Sequence, residues 1–300
     1  MIRVAATIAA LAVTSAMSLH AVRLTPDAAN AWQQPTFSTR TESVRVDVLV
    51  TEGAKVVTGL GPADFEIRDE GVLQTVDLVN FQQLPLHVVL ALDLSYSVSG
   101  ERLEDLRSAS HALLAALAAQ DSASLLTFNH AVSRRSAATS DIAALRSQLG
   151  AVSPEGVEGP GGTALGDATY ASMLTGNTEG RRSLALIFSD GVDTGSWLSS
   201  RQVLDTARRT GVVVYGVSVR GSGGDSLLEE ISEITGGDTV EADSSRNLRS
   251  AFIQVLENFR NRYLVSYSPK GVPGKGWHRL DVRIKGRRVN IKARPGYVAD

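Results

Sequence analysis

The chain has 300 residues, is 43% hydrophobic but only 5% aromatic, and contains no cysteine. Its 30 basic and 32 acidic residues nearly cancel, so composition gives no electrostatic case for nucleic-acid binding. The lack of cysteine excludes disulfides, thiol nucleophiles and cysteine-based zinc sites, while the apolar share is ample for one large domain or two modest ones.

At the amino end, Arg3 precedes an almost unbroken run of apolar and small residues from Val4 to Leu19, with small-residue exits at Thr14-Ser15-Ala16 and Ala29-Asn30-Ala31. A basic start, an apolar stretch and an Ala-x-Ala exit describe a secretory signal peptide, assigned to residues 1–31. The expected location is periplasmic or secreted, with an uncleaved N-terminal anchor as the alternative. No other stretch has the composition to span a membrane. Residues 32–40 read as a linker.

From Val44 the pattern changes. Val44, Val46, Val48 and Val50 alternate with Arg45, Asp47 and Leu49; Phe65, Ile67 and Asp69 repeat the period, Glu70-Gly71 turns, and Thr75 to Phe81 reads as another strand. This period-two patterning marks half-buried strands, and residues 41–84 form a β segment too small for a secure core of its own.

Residues 85–262 follow a different code. His87 to Asp93, Ala123 to Phe128, Ser183 to Ser189 and Val212 to Val219 are near-continuous apolar runs, expected of central strands covered on both faces. Ala131 to Ser136 is expected to pair with the second run as a hairpin, and Asp238 to Glu241 to form a short edge strand. Helical spacing appears in Leu103, Leu106, Ser110, Leu113 and Leu117, in a short helix capped by Asp141, over 164–174 and 199–210, after Asp225, and over about 245–262. Gly236-Gly237 ends the helix after Asp225. After Arg262 the β pattern returns in Tyr263 to Tyr267, in Leu280, Val282 and Ile284, and in Val289 and Ile291. The predicted fold class is α/β: a doubly wound, mostly parallel, Rossmann-like sheet. The flanking segment 263–300 pairs with 41–84 as one small β-sandwich, with the α/β domain inserted between its halves. Lys285, Arg287, Arg288, Lys292 and Arg294 read as a solvated edge strand guarded by charge.

Asp93 closes the first apolar strand, and Ser95 and Ser97 follow in the loop. Ligands of open α/β sheets bind at the carboxyl ends of strands, where strand order reverses. One carboxylate and two hydroxyls at alternate positions make a hard-oxygen corner suited to Mg²⁺, Mn²⁺ or Ca²⁺. Two further loops offer oxygens on the same rim: Thr163 after Gly161-Gly162, and Asp190 in Ser189-Asp190-Gly191. Taken singly, each of these residues is more often a turn or cap residue; the conjunction of three loops is what points to metal. Asp193 reads as a loop aspartate outside the set.

The order Asp93-Leu94-Ser95-Tyr96-Ser97, Gly162-Thr163 and Ser189-Asp190-Gly191 resembles the metal-ion-dependent adhesion site of von Willebrand factor A domains, over roughly residues 85–262. Ser189 stands where that family usually has Thr, a departure that keeps the carboxylate. The resemblance implies a divalent cation, foremost Mg²⁺, held directly by Ser95, Ser97 and, depending on state, Thr163, with Asp93 and Asp190 acting through water. It implies an open metal position that takes an Asp or Glu carboxylate from a protein partner, and a final helix that shifts as the site rearranges. The flanking β segments resemble bacterial exported relatives of that family in Phe65-Glu66-Ile67-Arg68-Asp69-Glu70-Gly71 and Ala293-Arg294-Pro295-Gly296-Tyr297. Tyr96 and Trp197 are contact candidates that could equally pack inward.

The expected function is metal-dependent protein binding, not catalysis. No Gly-x-Ser-x-Gly, His-Glu-x-x-His or Walker A pattern occurs. His87 and His111 fall in structural positions and His130 in a turn. One alternative is a metal-dependent phosphohydrolase using Asp93 as nucleophile; Ser95 stands where its acid/base would be needed, and serine cannot do that work at neutral pH. The other is an adaptor subunit of an ATP-driven complex, which the export signal opposes.

Overall fold

The computed structural model describes residues 43–81, 84–152, 162–178, 181–221 and 224–299. The predicted signal segment and linker, and most of the glycine-rich loop before Thr163, lie outside them.

Strands β1 (Val44–Glu52), β2 (Lys55–Val56), β3 (Phe65–Asp69), β4 (Val72–Gln74) and β5 (Val76–Phe81) come first. The alternating segment follows: β6 (Leu86–Asp93), α1 (Glu101–Ala115), β7 (Ser122–Phe128), β8 (Val132–Thr139), α2 (Ile142–Gly150), α3 (Leu165–Gly176), β9 (Arg182–Phe188), α4 (Ser200–Arg209), β10 (Val213–Val219), α5 (Ser226–Thr235), β11 (Asp238–Ala242) and α6 (Leu248–Arg260). Strands β12 (Tyr263–Tyr267), β13 (Gly276–Ile284), β14 (Asn290–Lys292) and β15 (Gly296–Ala299) close the chain.

The central sheet has the order β11-β10-β9-β6-β7-β8. Its pairings are parallel except for the β7–β8 hairpin at one edge. Every residue of β6 is buried because both faces are covered. Val88, Leu90 and Leu92 enter one layer with Leu106 and Leu113 of α1 and Phe252 and Phe259 of α6. Val89 and Ala91 face the other, with Ala168 and Met173 of α3 and Val203 of α4. Burying each such leucine contributes roughly 2 kcal/mol, and double coverage is why the strand reads as an unbroken apolar run. The chain leaves β6 toward β7, then crosses back to β9 on the other side, so strand order reverses between β6 and β9.

Local signals act as expected. Asp141 accepts a hydrogen bond from the Ala144 amide and Asp225 from those of Leu227 and Leu228, satisfying free donors at the starts of α2 and α5. Gly236 ends α5 at φ 80°, and a Cβ on Gly237 would stand 1.7 Å from the Val214 carbonyl oxygen, so no other residue fits where α5 turns into β11. The last helix is shorter than predicted, because Ser245–Asn247 form a 3₁₀ turn ahead of α6.

The flanking strands form two antiparallel sheets, β14-β1-β12-β5 with β2 on β1, and β15-β13-β3-β4. Each mixes both flanks: β12 lies between β1 and β5, with Val46 opposite Val265, and β13 pairs β3, with Ile67 opposite Val282. Between the sheets pack Val46, Val48, Phe65, Ile67, Tyr263, Val265 and Tyr267. A polar clamp crosses this core. The buried Asp69 carboxylate accepts hydrogen bonds from the hydroxyls of Tyr267 at 2.8 Å and Tyr297 at 2.9 Å, and lies 2.8 Å from His278 Nδ1. Burial and this carboxylate push both phenols above their ordinary range. The two flanking motifs noted in the sequence thus meet, through Asp69 of one and Tyr297 of the other.

The sandwich is fastened to the amino ends of the central strands by three arginines. Arg182, opening β9, donates to Asp47 of β1 at 2.7 Å and lies over the Phe259 ring. Arg262, fully buried between α6 and β12, reaches the Tyr215 hydroxyl at 2.7 Å and the Asp47 carbonyl. Arg294 donates to the carbonyls of Arg208 and Thr210, which end α4, and burial pulls its pKa down to about 10. Lys292 pairs with Asp238. The solvated-edge reading of the basic stretch is therefore corrected at its end. Strand β14 is an edge, and Lys292 on it stays part-exposed against the Asp238 carboxylate, but Arg294 turns inward to the carbonyls that end α4, which need donors.

Candidate metal centre

At the opposite, carboxyl rim, β6 ends in Asp93, which is fully buried. Its Oδ1 accepts from the Ser95 amide at 2.8 Å, which turns the chain, and its Oδ2 from the Ser189 hydroxyl at 2.7 Å. The Leu94 amide continues onto the Phe128 carbonyl of β7, and buried Val98 anchors the far side of the loop. So held, Ser95 Oγ lies 3.1 Å from Ser97 Oγ, and Ser97 Oγ donates to Asp190 Oδ1 at 2.7 Å. Asp190 follows β9, across the reversal of strand order, and its Oδ2 accepts from Arg102 Nη1 in α1.

Thr163 enters from the third loop. Its amide donates to Thr194 Oγ1, and its carbonyl accepts from the amides of Thr194 and Gly195. Its hydroxyl lies 4.0 Å from where a Cβ would stand on Gly191, beside Asp190. The structure thus joins Asp93, Ser95, Ser97 and Asp190 in one hydrogen-bonded chain and sets Thr163 against the glycine that follows Asp190.

Several contributors were not read from the sequence. Ser189 orients Asp93, so its hydroxyl retains a use where the family pattern has threonine. Asp167 of α3 accepts from the amides of Trp197 and Leu198, and shapes the loop after Asp190. Asp193 accepts from the Ser196 amide, while its own amide donates to Asp225, a loop role consistent with leaving it out of the ligand set. Arg102 carried no sequence signal. The spacing of α1 places it near the loop, but only the fold brings it to Asp190. Tyr96 and Trp197 are 85% and 92% exposed, which excludes inward packing for both.

The donor set is two carboxylates and three hydroxyls, hard oxygens of the kind divalent cations take. Burial raises the Asp93 carboxyl above its usual range, hydrogen bonds from Ser189 and Ser95 oppose this, and Asp190 adds repulsion. Among the described residues Asp93 has hydroxyl and amide partners but no ion pair. A buried carboxylate so placed is stabilised by an added cation. Among the described residues no group of three or more His, Asp or Glu could hold a metal, so any metal here depends on the hydroxyls. A cavity of about 450 Å³ opens beside the rim, bounded by Ser189, Gly191, Gly216, Ser218, Asp225 and Leu228.

The profile of the von Willebrand factor type A domain matches residues 87–254. The chain belongs to that family. The body of this VWA protein is similar in fold to proximal thread matrix protein 1 of the mussel byssus, in a structure described with a zinc-occupied MIDAS motif. The TM-score is 0.53 at 16% identity, over 64% of this chain and 49% of that one. A second structure of the same mussel protein gives 0.51 at 15% identity, over 69% and 51%. BatB, a conserved hypothetical protein of Bacteroides thetaiotaomicron, gives 0.48 at 20% identity, over 58% and 98%. No curated protein matches the chain. The chain is a protein–protein interaction module of the VWA type, and among its described residues no helix is long and apolar enough to cross a membrane.

Proposed function

We propose that this VWA module binds a protein partner through a divalent cation held by Asp93, Ser95, Ser97, Thr163 and Asp190, with Mg²⁺ foremost and Mn²⁺ or Ca²⁺ able to substitute. The observation that carries this reading is the hydrogen-bonded chain from Asp93 through Ser189 and from Ser95 through Ser97 to Asp190, gathered from separate loops across the reversal of strand order. When bound, the cation supplies an electrophilic position that an Asp or Glu side chain of the partner completes. The protein's own part is to fix the hydroxyls, keep Asp93 out of water and present Tyr96 and Trp197 beside the rim. The adjoining cavity leaves room for the partner's neighbouring residues.

The other readings fare worse at the same place. Ser95, not a carboxylate, stands two residues after Asp93, which leaves a phosphohydrolase without its acid/base. We further propose that residues 1–31 direct export and 32–40 act as a linker, so that the module works outside the cytosol, apart from ATP-driven partners. Titration with MgCl₂ and MnCl₂ by calorimetry tests the site, followed by an acidic peptide with and without chelator. Saturable binding that Thr163→Ala and Asp190→Ala weaken at least about tenfold is expected. Unchanged peptide binding in chelator would remove the metal from the interface.

A further inference from the structure

Arg102 lies in the first turn of α1, where free backbone amides and the helix dipole disfavour a cation. It nevertheless points to Asp190, whose side chain is fully buried, and pairs with the Oδ2 left over after Ser97 takes Oδ1. Helix stability gives no reason for arginine there. The buried carboxylate does, since a carboxylate taken out of water without a countercharge is costly. The chain enters the helix through Gly100, the N-cap residue at φ 59°, shortly after Ser97.

We infer that Arg102 is the resident cation of the site: it neutralises Asp190 in the metal-free protein and competes with a divalent cation for that carboxylate. The inference rests on the metal reading above. A divalent cation drawn to the Oδ1 side of Asp190 is repelled by the guanidinium held on Oδ2, so metal entry favours withdrawal of the guanidinium. Its side chain is 35% exposed, and it has solvent to withdraw into. Metal loading is thereby tied to the first turn of α1, and the apparent metal affinity is set below what the oxygen ligands alone would give. At a separation of about 5 Å, even water-like screening makes a unit charge beside a divalent ion worth at least about tenfold in affinity.

The test is Mn²⁺ and Mg²⁺ affinity of the full chain, wild type against Arg102→Gln and Arg102→Lys, with circular dichroism of the metal-free proteins as the check on folding. R102Q is expected to bind at least about tenfold more tightly, and R102K, which keeps the charge, to stay within about threefold of wild type. Wild type that binds while R102Q binds equally or more weakly overturns the inference and leaves the metal reading standing. R102Q that binds while wild type does not supports the inference and refutes metal-dependent function of the natural chain. If neither binds, both fall. A second measurement needs no variant: the Arg102 side-chain N–H resonances should move to free-guanidinium positions as Mg²⁺ saturates the wild type, and their constancy at saturation would also overturn the inference.

Discussion

His87 and Asp93 stand near opposite ends of the same strand, β6, and the two rims they mark solve the problem of buried polarity differently. At the amino rim, polar groups are matched to fixed partners. His87 lies between Ser122 and Ser124, Arg182 joins Asp47, and Arg262 reaches Tyr215. At the carboxyl rim, hydroxyls and carboxylates lean on one another, and the guanidinium among them is part-exposed. One rim is closed by fixed charge pairs; at the other, hydroxyls and carboxylates are held by one another and by a part-exposed guanidinium. The difference teaches that the polarity of a sheet end does not reveal its use; how its countercharges are anchored does.

That contrast can be broken most forcefully at Arg182. Removing it leaves Asp47 part-buried without its cation and uncovers Phe259, so Arg182→Ala should cost about 4 kcal/mol in urea unfolding. A loss below about 1 kcal/mol would mean the amino rim is not locked as described. A smaller effect concerns pH. Burial, assisted by Arg181, pushes His87 from 6.5 down to about 4. The unfolded chain therefore binds the proton first, and stability present above pH 6.5 drains away as pH falls toward 4. The slope should account for up to about 3 kcal/mol and should flatten in His87→Gln. The smallest effect belongs to the carboxyl rim. Tyr96→Ala and Trp197→Ala should leave stability within about 0.5 kcal/mol while weakening partner binding, a pairing of outcomes that a purely structural role would not give.

Much of this was legible in the sequence, for identifiable reasons. The strands β6, β7, β9 and β10 are covered on both faces, so their apolar runs announce them. Asp141, Asp225 and Gly236 act on their own neighbours and can be read locally. The sandwich made of both flanks followed from the insufficiency of either alone. Strands β4 and β15 went unread: each is too short for alternation to register, and their partners β3 and β13 define them. Arg102, Asp167 and Thr194 were missed because each acts on a loop distant in sequence, where no periodicity links them. Arg294 looked like one more surface charge, since only the docking of the sandwich turns it toward the end of α4. The resemblance also implied a final helix that shifts as the site rearranges, and α6 runs directly into β12 of the sandwich. The buried Arg262 and the Arg182–Phe259 contact pin that joint, so any such shift must first release them.

The placing of β12 between β1 and β5 has a consequence in time. As the polypeptide emerges from a ribosome, β1 and β5 appear early, while the strand that fills the gap between them is more than one hundred and eighty residues away from either. The alternating body between them holds its strand pairings within itself, whereas the sandwich must wait for Tyr263 and beyond, and such distant closures are slow. For that interval the amino-terminal strands expose unpaired edges of the kind that aggregate. The sandwich is thus the last part of the molecule able to close, since β1 and β5 are joined only through β12.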